Sequence, residues 1–406
     1  MTDKPKLLMV MGVFPARSET FVTQQVARAG DEWDVHVLAR TEGLQEDWAF
    51  ARSLGVMPFQ VSYANFFKTI PLPIWPSCWT PQVCIAAEKW RYGRIVSLRR
   101  QLYFARLLSH PSIRSAQLIH TQWTQQALEV GLPLSRILNV PISVSANDSV
   151  CVQQIDREGL WPTLRNELQG IVTLSDWSFN IWRDKFGEDS RLRRVYLGVD
   201  LARYSATIPA RKNDVPIIIN VGRCAKQKRQ WDLIEAVALL SKRGTNVRAI
   251  IVGDGPERES LRSLSHTLQI AHLIDLRGAM PNGEVITTLR SADIFVLTSE
   301  WESFGLVTAE AMAAYLPTVV SQGGASPELV EEGQTGFTFA PGDIEGMVAR
   351  LQQLIADRPL RERMGQAARG RVELLFSLDT HIREMNEFWH WVLEHNCSSG
   401  SRRGTG

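Results

Sequence analysis

Along this chain, apolar runs of strand length lead into polar or glycine-bearing loops and then into helical apolar repeats. Lys6 to Val13 reads as a first buried parallel strand and Asp34 to Ala39 as the second strand of a βαβ unit. Between them, Ser18 in the turn Phe14 to Phe21 is placed to N-cap a helix running to Ala29. Leu118 to Trp123 is a strand end with a polar loop, followed by a helical pattern to Leu138 that breaks near Pro133. Pro141 to Asp148 and Gly170 to Ser175 give two more strands, the second followed by a helix from Trp177 to Phe186. Ala202 to Asp214, with Pro209 and four charged residues, reads as a linker.

Beyond it, Val215 to Arg223, Val247 to Val252, Leu273 to Gly278 and Asp293 to Thr298 read as strands. Pro256 suits the first turn of the helix after Gly253-Asp-Gly-Pro-Glu257. A helical pattern from Leu306 to Leu316 stops before Pro317, and helices from Ile344 to Ala356, Leu360 to Leu375 and Leu378 to Glu394 follow. The order predicts an α/β chain, and 406 residues suffice for two domains with substantial cores.

The stretch Ser291 to Pro341 organises the candidate chemistry. Its strand, loop and helix aim free backbone N–H groups at whatever lies over the loop, and such a helix start favours an anion. Glu302 in the loop and Glu310 on the first turns bring two carboxylates to the rim of that site. Carboxylates repel phosphate, so they are read as gripping sugar hydroxyls on either side of it. The strand ending at Gly222 and Arg223 supplies Arg223, Lys226 and Lys228 at the end where doubly wound sheets open their ligand crevice. Arginine offers a planar fork to a diphosphate and lysine a movable point charge.

The run Glu302-Ser-Phe-Gly-Leu-Val-Thr-Ala-Glu310 resembles the Glu-x7-Glu signature of retaining glycosyltransferases of family 4. The similarity continues through Glu310-Ala-Met-Ala, Pro317-Thr-Val-Val, Gly323-Gly-Ala-Ser-Pro-Glu328, Gly333-Gln-Thr-Gly336 and Pro341-Gly-Asp343. The turn Phe14-Pro-Ala-Arg-Ser-Glu-Thr-Phe21 is similar to the opening of a subset that builds cell-envelope polysaccharides, where it faces the acceptor side; Arg17 and Glu19 are candidates there. The resemblance implies two Rossmann-like domains facing across a cleft (GT-B), with the C-terminal helix crossing back to the first. The expected division is an acceptor-side domain over 1–205 plus helix 378–395, a nucleotide-sugar domain over 206–377, and a disordered tail over 396–406.

By the same resemblance, Gly222, Arg223, Lys228 and the Phe304, Gly305 and Leu306 amides bind the diphosphate. Glu310 holds the ribose, Glu302 a hydroxyl of the transferred sugar, and Gly278 ends the strand that meets the base. His120, in an Ile-His-x-x-Trp-like position, is a catalytic candidate, against the alternative of a satisfied structural histidine. Three departures stand out. Ser145 occupies the place of a family histidine, ahead of Asp148; Leu197 stands for an asparagine in Val195-Tyr-Leu-Gly-Val-Asp200; and Arg229 replaces the glycine after the lysine of the Gly-Arg-x-x-x-x-Lys-Gly loop.

Composition narrows the setting. A hydrophobic fraction of 44% and a charged fraction of 22% are those of a soluble globular protein, and a net charge of +2 gives no global pull toward nucleic acid. Residues 61–114 differ, with eight lysines and arginines against the single acid Glu88, interleaved with rings such as Trp75, Trp79 and Trp90. That mixture suits peripheral contact with an anionic membrane, and equally a helical face packed on the first domain; nucleic acid has no recognised binding fold to go with it. Five cysteines without a Cys-x-x-Cys pair indicate neither a disulfide framework nor a zinc site. The first apolar run is too short for a signal peptide, and no run of eighteen apolar residues exists. A reducing, cytoplasmic location fits, with association at the inner membrane face.

No Asp-x-Asp occurs, so the expected transfer is metal-independent and needs no cofactor beyond the nucleotide-diphosphate sugar donor. The expected activity is a retaining hexosyltransfer to a lipid-linked or polysaccharide acceptor. A hydrolysing nucleotide-sugar epimerase and a non-catalytic nucleotide-sugar-binding scaffold are the alternatives, Ser145 being the best argument for the scaffold.

Overall fold

The computed structural model describes residues 4–16, 19–58, 61–63, 103–146, 149–204, 207–209 and 213–397. Arg17, Ser18, Asp148, most of the basic aromatic segment and residues 398–406 of the tail lie outside the described residues. Two compact units emerge, one of residues 1–174, 178–195 and 382–406, the other of 175–177 and 196–381.

The first unit is built on β1 (Lys6–Phe14), β2 (Asp34–Glu42), β3 (Val61–Tyr63), β4 (Leu118–Thr121), β5 (Ile142–Ser145), β6 (Gly170–Thr173) and β7 (Leu192–Arg194). They form one parallel sheet in the order β3-β2-β1-β4-β5-β6-β7. The central strands are buried on both faces, as a parallel sheet covered by helices requires. The C-terminal helix Leu378–Cys397 packs into this unit from Ile382 onward, with Phe388 and Trp389 fully buried. Gly170 permits its close approach, since a Cβ there would lie 2.5 Å from Val392 and 2.7 Å from Phe388.

The second unit holds β8 (Ile217–Val221), β9 (Arg248–Val252), β10 (Ile274–Gly278), β11 (Ile294–Leu297), β12 (Thr318–Ser321) and β13 (Gly336–Phe339). Its parallel order is β10-β9-β8-β11-β12-β13, so the chain reverses direction across the sheet between β8 and β11. In such sheets the crevice for ligands opens beyond the carboxyl ends of the strands at that switch point. The loops after β8 and β11 therefore border that crevice.

The units divide at Val195, ten residues ahead of the expected 205. Tyr196 to Tyr204 sits on the second unit because Tyr196 packs on Phe304 and Phe376 (6.0 and 5.1 Å between centroids) and Val199 bridges to Ser377. Gly198 is required at that crossing, where a Cβ would lie 2.5 Å from Leu378 Cα. The helix expected to reach Leu316 spans Leu306–Ala313. Tyr315 turns left-handed at φ 63°, and the Leu316 N–H returns to Ala311 O at 3.0 Å, a Schellman closure. A tyrosine in the place that glycine usually takes hid this stop from the sequence pattern.

Candidate active site

The candidates for nucleotide-sugar binding all belong to the second unit, whereas His120 and the acceptor-side candidate Glu19 belong to the first, and two loops at the switch point of the second unit's sheet carry most of the former. After β8, Gly222 donates to Val252 O at 2.9 Å, and the chain then passes through Arg223 into the turn Lys226–Lys228. The loop after β11 is laced onto it: Thr298 Oγ1 donates to Lys228 O (2.7 Å), Glu300 N to Gln227 O (2.8 Å) and Gln227 Nε2 to Trp301 O (2.9 Å). The backbone at Lys228 is thus fixed against the neighbouring strand's loop before any ligand arrives.

That lacing sets the central contact. Lys228 Nζ reaches Glu302 Oε1 at 2.5 Å, and the same oxygen accepts from Ser299 Oγ at 2.6 Å. Their side chains are 23% and 12% exposed, which removes much of the solvent screening that weakens surface pairs. Glu302 is held from behind as well, since its carbonyl accepts from Ala325 N at 2.8 Å. Gly323 and Gly324 make room for this: a Cβ at Gly324 would lie 2.3 Å from Glu302 O, and one at Gly323 would lie 2.2 Å from Glu300 O.

Phe304 is buried, and Gly305, left-handed at φ 88°, starts the helix Leu306–Ala313. The first N–H groups of that helix have no intrahelical acceptor and add their dipoles to the positive end. Glu310 lies in the helix, half-buried. Loss of solvent pushes its carboxyl up to about 7 from 4.5, and the positive charge of Arg203 opposes the rise. Burial pushes the Tyr204 hydroxyl well above its usual range, and the charge of Glu310 adds to the effect.

Arg223 stands exposed, its guanidinium making no ion pair or hydrogen bond among the described residues. Gly278 closes β10 at φ 74°, with Gly253 N donating to its carbonyl at 2.8 Å. The Arg258 guanidinium lies 3.3 Å from where a Cβ of Gly278 would stand. Arg223, Lys228, Glu302 and the start of the Leu306 helix therefore collect at one end of one sheet. The arrangement offers two cations and a helix start to an anion, with a carboxylate among them.

His120 is placed differently. It lies within β4 of the first unit with no exposed surface. Its Nδ1 pairs with Ser143 Oγ at 2.9 Å, its Nε2 with Ser145 Oγ at 3.0 Å, and its ring meets Trp389 edge-on at 5.3 Å. Both ring nitrogens are occupied, leaving neither for a substrate. The serine in the place of the family histidine is one of the two partners.

Three contributors escaped the sequence reading: Ser299 on Glu302, Thr298 on the lysine loop, and Arg203 beside Glu310. No spacing marks a serine three residues before a glutamate as its partner. Among the described residues no group of three or more His, Cys, Asp or Glu could hold a metal ion. No helix among them is long and apolar enough to cross a membrane.

Residues 206–371 match the family described as glycosyl transferases group 1. The sulfoquinovosyl transferase SQD2 of Arabidopsis thaliana is 25% identical over 393 residues, 91% of this chain and 69% of that protein. The N-acetyl-alpha-D-glucosaminyl L-malate synthase of Bacillus anthracis is 30% identical over 200 residues, 49% of this chain and 51% of that protein. Among solved structures, Anabaena Alr3699/HepE in complex with UDP and glucose aligns with a TM-score of 0.74 at 20% identity, covering 95% of this chain and 99% of that one. That likeness shows a shared fold, the GT-B fold that the sequence implied.

Proposed function

We propose that this protein is a retaining glycosyltransferase that moves a sugar from a nucleotide-diphosphate donor to a lipid-linked or polysaccharide acceptor in cell-envelope or exopolysaccharide biosynthesis. The observation that carries the reading is the Lys228–Glu302 pair, 2.5 Å apart at the switch point and beside a helix start. A departing diphosphate develops negative charge, and preorganised cations and N–H groups stabilise it most where water is excluded. Arg223, Lys228 and the Phe304 to Leu306 amides supply that stabilisation. Glu302 keeps Ser299 as a partner when Lys228 turns to phosphate, so its carboxylate stays oriented toward a hydroxyl of the transferred sugar. Glu310 takes the ribose hydroxyls.

Retention follows if the acceptor hydroxyl attacks C1 from the side the diphosphate leaves. The C1–O bond to phosphate breaks, the new C1–O bond forms, and the leaving phosphate oxygen takes the acceptor's proton. UDP and glucose in the Anabaena structure support a nucleotide-sugar donor, and the sulfoquinovosyl and glucosaminyl names of the relatives support sugar transfer. Peripheral contact through the basic aromatic segment 61–114 would bring a lipid-linked acceptor to a cytoplasmic membrane face.

The test is thermal stabilisation by UDP, GDP, ADP and their sugars, then product analysis with the preferred donor. A ligand that binds the folded state raises its stability by RT ln(1 + [L]/Kd), so about 2.7 kcal/mol is gained at a hundredfold excess over Kd. One base should stand out, and Lys228→Ala should abolish the shift. No shift with any nucleotide refutes the reading. A shift without transfer or donor hydrolysis favours the scaffold, and an epimerised free sugar favours the epimerase.

A further inference from the structure

The residue after Lys228 is the one departure inside the lysine loop, and its neighbours are fitted to it. Arg229 stands left-handed, φ 47° and ψ 38°, between the turn Lys226–Lys228 and the helix Gln230–Lys242. Its guanidinium forks onto Asp232, Nε donating to Oδ2 at 2.8 Å and Nη2 to Oδ1 at 3.1 Å. Asp232 is 1% exposed, and a bare carboxylate at that burial is costly, so the fork is as necessary to Asp232 as Asp232 is to the fork. The Asp232 N–H closes the same ring by donating to Arg229 O at 2.9 Å. The guanidinium also lies 5.3 Å from the Trp231 ring centroid, and its Nη2 is 3.0 Å from where a Cβ of Gly342 would stand. A buried acid, an aromatic face and a glycine thus all accommodate one side chain.

We infer that Arg229 is a positioning residue: its fork on Asp232 straps the loop so that Lys228 Nζ is held over Glu302, where the donor's diphosphate departs. The inference rests on the nucleotide-sugar reading above. A lysine's four-carbon stem does not fix its own ammonium, so the position of Nζ depends on the backbone beneath it. Thr298 Oγ1 anchors that backbone from the β11 side, and the Arg229 fork anchors it from the helix side. With Nε and Nη2 engaged by Asp232, Arg229 serves the loop rather than acting as a further phosphate cation.

Three variants separate this role from ordinary stability. Arg229→Gly keeps the left-handed backbone without strain and deletes the fork. Arg229→Gly with Asp232→Asn deletes the fork and removes the bare charge that could unfold the single variant. Arg229→Lys keeps a charge but has no planar fork. Calorimetric titration of each with UDP, GDP and ADP, and with the matching monophosphates, reads the grip on the second phosphate. For the preferred base, the diphosphate should weaken about tenfold, about 1.4 kcal/mol, in all three variants, while the monophosphate stays within about twofold. An unchanged diphosphate-to-monophosphate ratio overturns the role of Arg229 and leaves the nucleotide-sugar reading standing. Wild-type protein that binds no nucleotide overturns both.

Discussion

Replacing Glu310 by glutamine should change how stability depends on pH. In the folded chain burial raises the carboxyl to about 7 from 4.5. A shift of that size, at about 1.36 kcal/mol per pH unit, amounts to about 3 kcal/mol. The folded state holds a proton that the unfolded chain releases near 4.5, so the stability this group contributes is present below that pH. It declines as pH rises and is gone above 7. Glutamine is close in shape and carries no titratable proton. The wild-type stability minus that of Glu310→Gln, from urea unfolding followed by tryptophan fluorescence, should therefore fall by about 3 kcal/mol between about pH 4.5 and pH 7.5. Taking the difference cancels every other titrating group. A difference that stays level within about 0.5 kcal/mol across the range refutes the desolvation argument. The ligand gives an independent reading, because ribose hydroxyls bind better to carboxylate than to carboxylic acid. Preferred-nucleotide affinity should rise through pH 7 in the wild type relative to the variant.

Two further substitutions probe the placement of the parts. His120→Ala orphans the hydroxyls of Ser143 and Ser145 and opens a cavity against Trp389, so unfolding should become easier by about 2–4 kcal/mol. Turnover per folded molecule should be retained; a loss of more than about hundredfold, about 2.7 kcal/mol in barrier, would make His120 catalytic after all. Gly324→Ala places a Cβ 2.3 Å from Glu302 O at a φ of 63°, whereas Gly333→Ala meets nothing within 4 Å at a φ of 75°. Both pay about 1 kcal/mol for the left-handed backbone, but only the first should weaken nucleotide-sugar binding, measured by calorimetry. Equal affinities would show that Glu302 does not depend on that glycine.

The doubly wound pattern was legible because a buried parallel strand is nearly continuous in Val, Ile and Leu, as Ile217–Val221 and Ile294–Leu297 are. The loops carrying Arg223, Lys228 and Glu302 were legible because each follows such a strand. What escaped depends on contacts between distant segments. The helix stop at Tyr315 is paired with Gly365, where a Cβ would lie 2.3 Å from Tyr315 O, fifty residues along the chain. The unit boundary escaped for the same reason: Tyr196 to Tyr204 reads as the end of the first domain until Phe304, Phe376 and Ser377 are seen beneath it. Ser299 and Arg203 have no periodic signature, since a single hydrogen bond or charge constrains no repeat.

The departures from the family pattern bear on whether the chain retains function. A site in decay should show the changed residue with its surroundings left unfitted: an unpartnered charge, a strained backbone without compensation, or a hydroxyl without a bond. Arg229 shows the reverse, its left-handed backbone carrying a fork to a buried acid and its guanidinium accommodated by Gly342. Ser145 likewise bonds His120, whose other nitrogen meets Ser143 in the same strand as Ser145. Buried hydrogen-bonded sets of this kind lose stability when one member is removed, so they persist as sets. Arg229 and Ser145 are therefore substitutions accommodated by their neighbours. The serine that offered the best argument for a scaffold is better explained by the histidine it holds.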